Sequence, residues 1–167
     1  MKINHLATLA AIAVLSTVAT TVVTHPQTAL KVLSAAVESK AMANPCAGKS
    51  VGGPLSKSLQ GKPVVIDVYA SWCKSCKNIA PTLSQLKQQY AGKVHFVVLD
   101  VSDKATTAQS EAKAKELGLS QFFSAHKSQT GSLTIVDPKT GKILAQYRNN
   151  PDKSAYTVVL DQAIAKK

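Results

Sequence analysis

The sequence predicts an α/β domain, a central mixed β-sheet flanked by helices, preceded by an N-terminal signal or anchor segment. Three observations predict it. Between Lys62 and Lys167, β-branched runs and helix-period stretches follow the order β-α-β-α-β-β-α. The first part of that order implies a parallel crossover, and the closing hairpin adds antiparallel strands. The first 43 residues have a different character from the rest, with one long uncharged run.

That run, Leu6 to Val23, follows Lys2 and is at the lower edge of membrane-spanning length. Ala41-Met42-Ala43 fits the small-x-small pattern of a signal-peptidase site, although it lies far from the apolar run. Residues 1–43 are therefore a cleaved signal peptide, or an uncleaved membrane anchor with a tether. Both place the remainder outside the cytoplasm. Residues 44–60 read as a linker and 61–167 as the folded domain.

The elements of the domain follow in order. Pro63 introduces a strand from Val64 to Ala70, rich in valine and isoleucine. A helix spans about Cys73 to Tyr90, with Ile79, Leu83, Leu86 and Tyr90 at spacings of three and four, and Gly92 ends it. Val94 to Val101 is almost wholly apolar, which predicts a central strand covered on both faces. An alanine-rich helix from about Thr106 to Leu117 stops at Gly118. Ser120 to Gly131 has no clear period and reads as a loop, in which Phe122 and Phe123 complete the core or, with His126, form a lid. Two short strands, Ser132–Asp137 and Lys142–Tyr147, are joined by the tight turn Pro138-Lys139-Thr140-Gly141. A last amphipathic helix covers about Ser154 to Ala165.

The formal net charge is +11, but the lysines are dispersed and aromatics are few. No basic stretch is interleaved with aromatic residues, so the chain lacks the pattern of a nucleic-acid groove. A soluble basic surface is the simplest reading of the charge.

The chemistry concentrates in the stretch from Val65 to Pro81, VIDVYASWCKSCKNIAP. A Cys-x-x-Cys pair, Cys73 and Cys76, stands where a strand ends and a helix begins. Free N–H groups and the positive dipole end of a helix stabilise a thiolate there, lowering a thiol pKa from about 8.5 toward roughly 3.5–7.5. Cys73 at the N-cap is expected to be exposed and nucleophilic, and Cys76, one turn on, shielded and resolving. Lys74 favours the thiolate by Coulomb attraction. A metal reading also exists: Cys73 and Cys76 with His126 or Cys46 as further ligands, although no second cysteine pair is present. Cys46 is otherwise a spare thiol. Asp67 lies inside an apolar strand, where desolvation raises a carboxyl pKa into the range useful for proton transfer. The alternative for Asp67 is an edge-strand acid facing solvent.

These residues closely resemble the active-site segment of thioredoxins. The match comprises Asp67 six residues before the first cysteine, Tyr69, Ala70, Trp72-Cys73-x-x-Cys76-Lys77, and Pro81 five after the second. It covers about Lys62 to Lys167 and is most similar to exported or membrane-tethered thioredoxin-like proteins. The resemblance implies a thioredoxin fold and thiol–disulfide oxidoreductase activity without an organic cofactor. It assigns Cys73 and Cys76 to the redox pair, Trp72 to the neighbouring aromatic, Pro81 to the helix-kinking proline and Asp67 to the buried proton relay. It also implies client proteins bearing cysteines or disulfides, an upstream thiol-redox partner, in the membrane or not, and a monomeric protein in the periplasm or thylakoid lumen. A reductant is favoured, since no histidine lies between the cysteines.

Two departures accompany it. Thr130-Gly131 stands where thioredoxins carry a cis-proline facing the disulfide. A cis bond at a non-proline residue costs roughly 2.5–4 kcal/mol, so a trans and flexible Gly131 is expected. Val98 occupies the place of a lysine often found near the buried acid, which makes Asp67 harder to ionise. The intervening pair Lys74-Ser75 tunes a potential that spans roughly −270 to −120 mV in the family.

Overall fold

A computed structural model describes residues 48–166. The segment 1–43 and Cys46 lie outside the described residues. Four strands form one sheet: β1 (Val64–Tyr69), β2 (His95–Asp100), β3 (Ser132–Asp137) and β4 (Lys142–Arg148), in the order β2-β1-β3-β4. β1 pairs parallel with β2 and antiparallel with β3, and β3 pairs antiparallel with β4. Four helices flank the sheet: α1 (Lys74–Gln89), α2 (Lys104–Leu117), α3 (Ser120–His126) and α4 (Lys153–Ala165).

Local chemistry sets the helix ends. Asp103 and Thr106 exchange side-chain and backbone bonds in a capping box at the start of α2. At its other end Gly118 takes φ +78°, and Leu119 N–H donates to the Ala114 carbonyl at 2.7 Å. This arrangement turns the chain and satisfies the last carbonyls.

The two faces of the sheet bury separate layers. Val64, Ile66 and Val68 point to the side of α2 and α3, together with Val97, Leu99, Phe122 and Phe123. Val65, Leu133 and Ile135 point to the side of α1 and α4, against Ile79, Leu86, Tyr156 and Leu160. The two phenylalanines are core residues, not a lid.

Three expectations are corrected. β2 is an edge strand rather than a central one, and Phe96, Val98 and Asp100 are only half-buried. Its apolar run reflects a cleft on one side rather than full cover. The expected loop from Ser120 opens with α3, which is stabilised by burial of two adjacent phenylalanines rather than by any periodic stripe. The expected linker also belongs to the domain over its described part. Gly48 N–H donates to the Ile143 carbonyl and Ile143 N–H to the Lys49 carbonyl, extending the sheet edge at β4. Val51, Leu55 and Leu59 enter the core beneath α2 at 2, 5 and 7% exposure. Each apolar side chain, four residues from the last, covers surface that would otherwise face water.

Truncating the second of these separates the two descriptions. Leu55→Ala is expected to lower unfolding free energy by about 2–5 kcal/mol in chemical denaturation, as for a core leucine. A linker residue would leave the midpoint unchanged.

Candidate active site

The site is built on the end of β1. Val101 N–H donates to the Tyr69 carbonyl at 2.8 Å from one side, and Gly131 N–H donates to the Val68 carbonyl at 2.8 Å from the other. The chain then turns through Ala70 and Ser71, closed by Cys73 N–H on the Ala70 carbonyl at 3.1 Å. Ser102 braces this turn. Its Oγ accepts from Ser71 N–H at 2.8 Å, its carbonyl accepts from Trp72 Nε1 at 2.9 Å, and its own N–H donates to Asp100 Oδ1. Trp72 is thereby held in place while 62% exposed.

Cys73 is the N-cap of α1, its Sγ accepting from Cys76 N–H at 3.0 Å. The two cysteines form a disulfide with Cα atoms 5.3 Å apart. Cys76 Sγ lies 3.9 Å from the Val68 carbonyl oxygen. Both cysteines are buried, at 5 and 3% exposure, among Ala70, Tyr69 and Val101. The expected open exposure of Cys73 is therefore absent in this disulfide-bonded form. The bond still occupies the first turn of a helix, where reduction would leave a thiolate facing unpaired N–H groups. Lys74 is exposed and Ser75 half-buried between them, and Pro81 sits inside α1 on its outer face.

Gly131 is the second surprise. No cis peptide bond occurs among the described residues, so the Thr130–Gly131 bond is trans. The segment is pinned rather than flexible. Besides its bond to Val68, Gly131 accepts from Asn149 N–H at 2.8 Å, and the Thr130 carbonyl accepts from Arg148 Nε at 3.2 Å. Gly131 has φ +76°, and a Cβ built there would overlap Ser75 Cβ and lie 3.2 Å from Cys76 N. Only glycine allows the β3 entrance to approach the cysteine turn this closely.

Asp67 lies one residue before Val68, 5% exposed, with Val98 and Leu133 as its register partners. It does not face solvent from an edge. It fronts a 430 Å³ cleft shared with Cys76, Ser84, Lys87, Val98 and Asp100. Among the described residues its Oδ1 has no hydrogen-bond partner. Burial pushes its pKa from an ordinary 3.8 up to about 6, with Asp100 adding to the rise and Lys87 opposing it. Asp67 and Cys76 thus line one cleft behind the disulfide.

His126, the described candidate for a further metal ligand, does not join this group. His126 stacks on Phe122 with ring centroids 4.3 Å apart, its Nδ1 bonded to the Phe122 carbonyl at 2.9 Å. Among the described residues no cluster of three or more His, Cys, Asp or Glu side chains is placed to hold an ion. Lys87 is the residue that sequence reasoning missed. Its signal is spacing: eleven residues, close to three helical turns, separate it from Cys76 on one stripe of α1.

The burial of Asp67 carries a pH signature. The folded chain holds this proton more tightly than the unfolded chain, so its contribution to stability is full below pH 3.8 and is lost as pH rises to about 6. Asp67→Asn should flatten that decline and raise stability at pH 7 by at most about 3 kcal/mol. Denaturant titrations of both proteins from acid to neutral pH check this.

Residues 55–128 match the family model described as Thioredoxin. A thiol:disulfide interchange protein TxlA homolog of Synechocystis is 43% identical over 51 residues, covering 30% of this chain and 28% of that protein. The chloroplastic thioredoxin-like protein HCF164 of Arabidopsis thaliana is 46% identical over 43 residues, covering 26% of this chain and 16% of its own length. Thioredoxin C-2 of Corynebacterium nephridii is 50% identical over 46 residues, covering 28% of this chain and 43% of its own length. The chain thus aligns with less than half the length of each of these relatives. The sheet order, the disulfide at the start of α1 and the buried acid behind it agree with these matches, and residues 55–128 carry a thioredoxin-like domain.

Proposed function

We propose that this protein is an extracytoplasmic thiol–disulfide oxidoreductase that reduces disulfides of client proteins through the Cys73–Cys76 couple. The observation that carries this reading is the disulfide at the start of α1 with Asp67 in the cleft behind Cys76. Relatives named for disulfide interchange and as thioredoxins support it. The uncharged run at Leu6–Val23 supports the location.

In the reduced form, Cys73 Sγ attacks one sulfur of a client disulfide as the thiolate. A mixed disulfide forms, and the other client sulfur leaves as a thiolate. Cys76 gives its proton to the Asp67 carboxylate and attacks Cys73 Sγ. The Cys73–Cys76 bond forms, and the mixed disulfide breaks to release the second client thiolate. Two electrons pass to the client, and the Asp67 proton returns to solvent through the cleft. An upstream dithiol must then reduce the pair again. Trp72, Lys74, Ser75 and the Thr130–Gly131 segment border the attack site, and Pro81 shapes α1 behind it. The closely apposed Gly131 replaces a projecting ring with bare backbone, so client main chain can approach the disulfide at this edge.

Cys73→Ser is expected to abolish reduction of a protein disulfide by the purified domain, and full activity in that variant contradicts the mechanism. Asp67→Asn is expected to slow exchange by about 10²-fold, the low end for general acid–base catalysis. Because the base is the carboxylate, the wild-type rate should climb as pH rises through about 6. The location is checked by protease treatment of cells whose outer barrier has been opened. Digestion of the domain agrees with the proposal, and protection while cytoplasmic markers stay intact opposes it.

A further inference from the structure

The cleft behind the disulfide holds one cation that the redox chemistry does not itself require. Cys76 and Lys87 stand on the same stripe of α1, about 16 Å apart along the axis. Asp67 fronts the same cleft from β1, and Asp100 enters from β2. Among the described residues, the ionisable groups that line the cleft or act on Asp67 are Tyr69 on β1, Cys76 and Lys87 on α1, Asp100 on β2 and Tyr156 on α4, while β3 presents Leu133. Asp100 is turned toward Ser102, whose N–H and Oγ both donate to its Oδ1. Burial drives the Tyr156 hydroxyl well above its ordinary pKa, so it stays neutral at physiological pH. Lys87 is therefore the positive group in the cleft that can offset both the burial of Asp67 and the like charge of Asp100.

We propose that Lys87 is a positioning residue for the proton relay, holding Asp67 in its carboxylate form and so setting the pH at which Cys76 can be deprotonated. The proposal rests on the relay reading above and adds the residue that tunes it. Lys87 is exposed, and the cleft between it and the carboxyl is open to water. Its effect is consequently modest, unlike that of a buried ion pair. The cation also sits on the helix that carries both cysteines' first turn, so any shift of α1 against the sheet changes the distance from Lys87 to Asp67.

The test is the titration of the Asp67 carboxyl carbon by NMR, a readout independent of activity. Lys87→Met should lower the acid dissociation constant of Asp67 about threefold and move the pH–rate profile upward by the same factor. Lys87→Arg should keep the wild-type midpoint. Val98 faces the same cleft as the β2 register partner of Asp67, so adding Val98→Lys to Lys87→Met should restore it. Lys93→Met, in the exposed turn after α1, serves as the control for general loss of charge. An unchanged Asp67 titration in Lys87→Met overturns the proposal, as does an equal change in Lys93→Met. Normal exchange by Asp67→Asn would remove the relay reading, and the Asp67 titration would still decide whether Lys87 controls the carboxyl.

Discussion

The enclosure of β1 is the constraint on which the rest depends. The strand is paired on both edges and covered on both faces, and Val64 to Val68 are all buried. Its last two carbonyls are each fixed by a neighbour, Val68 by Gly131 and Tyr69 by Val101. The turn to Cys73 is therefore launched from a point that cannot move without breaking the sheet. The disulfide, the Trp72 brace and the Gly131 contact are all placed relative to that end. Sites built on such rigid elements hold reacting groups within the small tolerances that exchange chemistry needs.

The same enclosure makes Asp67 costly. A carboxyl with an unpartnered oxygen in a nearly buried position favours the neutral form and destabilises the fold once ionised. A valine there would suit the surrounding layer of Val65, Leu133 and Ile135 better. Retaining an acid behind the cysteine makes sense when the group must gain and lose a proton, and active sites commonly sacrifice stability in this way. The 430 Å³ cleft lies in front of that carboxyl. The cleft-facing side of β2, with Val98 and Asp100 half-buried, thus borders the cleft as well as the core.

Much of this was legible in the sequence where a local rule and the tertiary fold agree. β1, α1 and the β3–β4 hairpin follow from valine-rich runs, helical spacing and turn residues, and the cysteine pair falls at the predicted strand–helix junction. Asp67 stood out because it interrupts an apolar strand. The misreadings occur where local pattern and environment diverge. β2 is apolar enough to be central, but it borders a cleft. α3 has only two adjacent phenylalanines, too short a signal for any period. Residues 48–60 look like a linker by glycine content, whereas the four-residue spacing of Val51, Leu55 and Leu59 was the usable clue. Gly131 was expected to be loose because proline was missing, yet the close approach to Ser75 explains glycine better than flexibility does.

The central claim is that Cys73–Cys76 is an exchanging couple rather than a structural staple. Its reduction potential decides between them most directly, measured by equilibrating the domain in dithiol–disulfide buffers and trapping free thiols at each ratio. An exchanging couple gives a single two-electron transition between about −270 and −120 mV, within reach of physiological thiol donors. A potential below about −300 mV, where structural disulfides resist reduction, would contradict it.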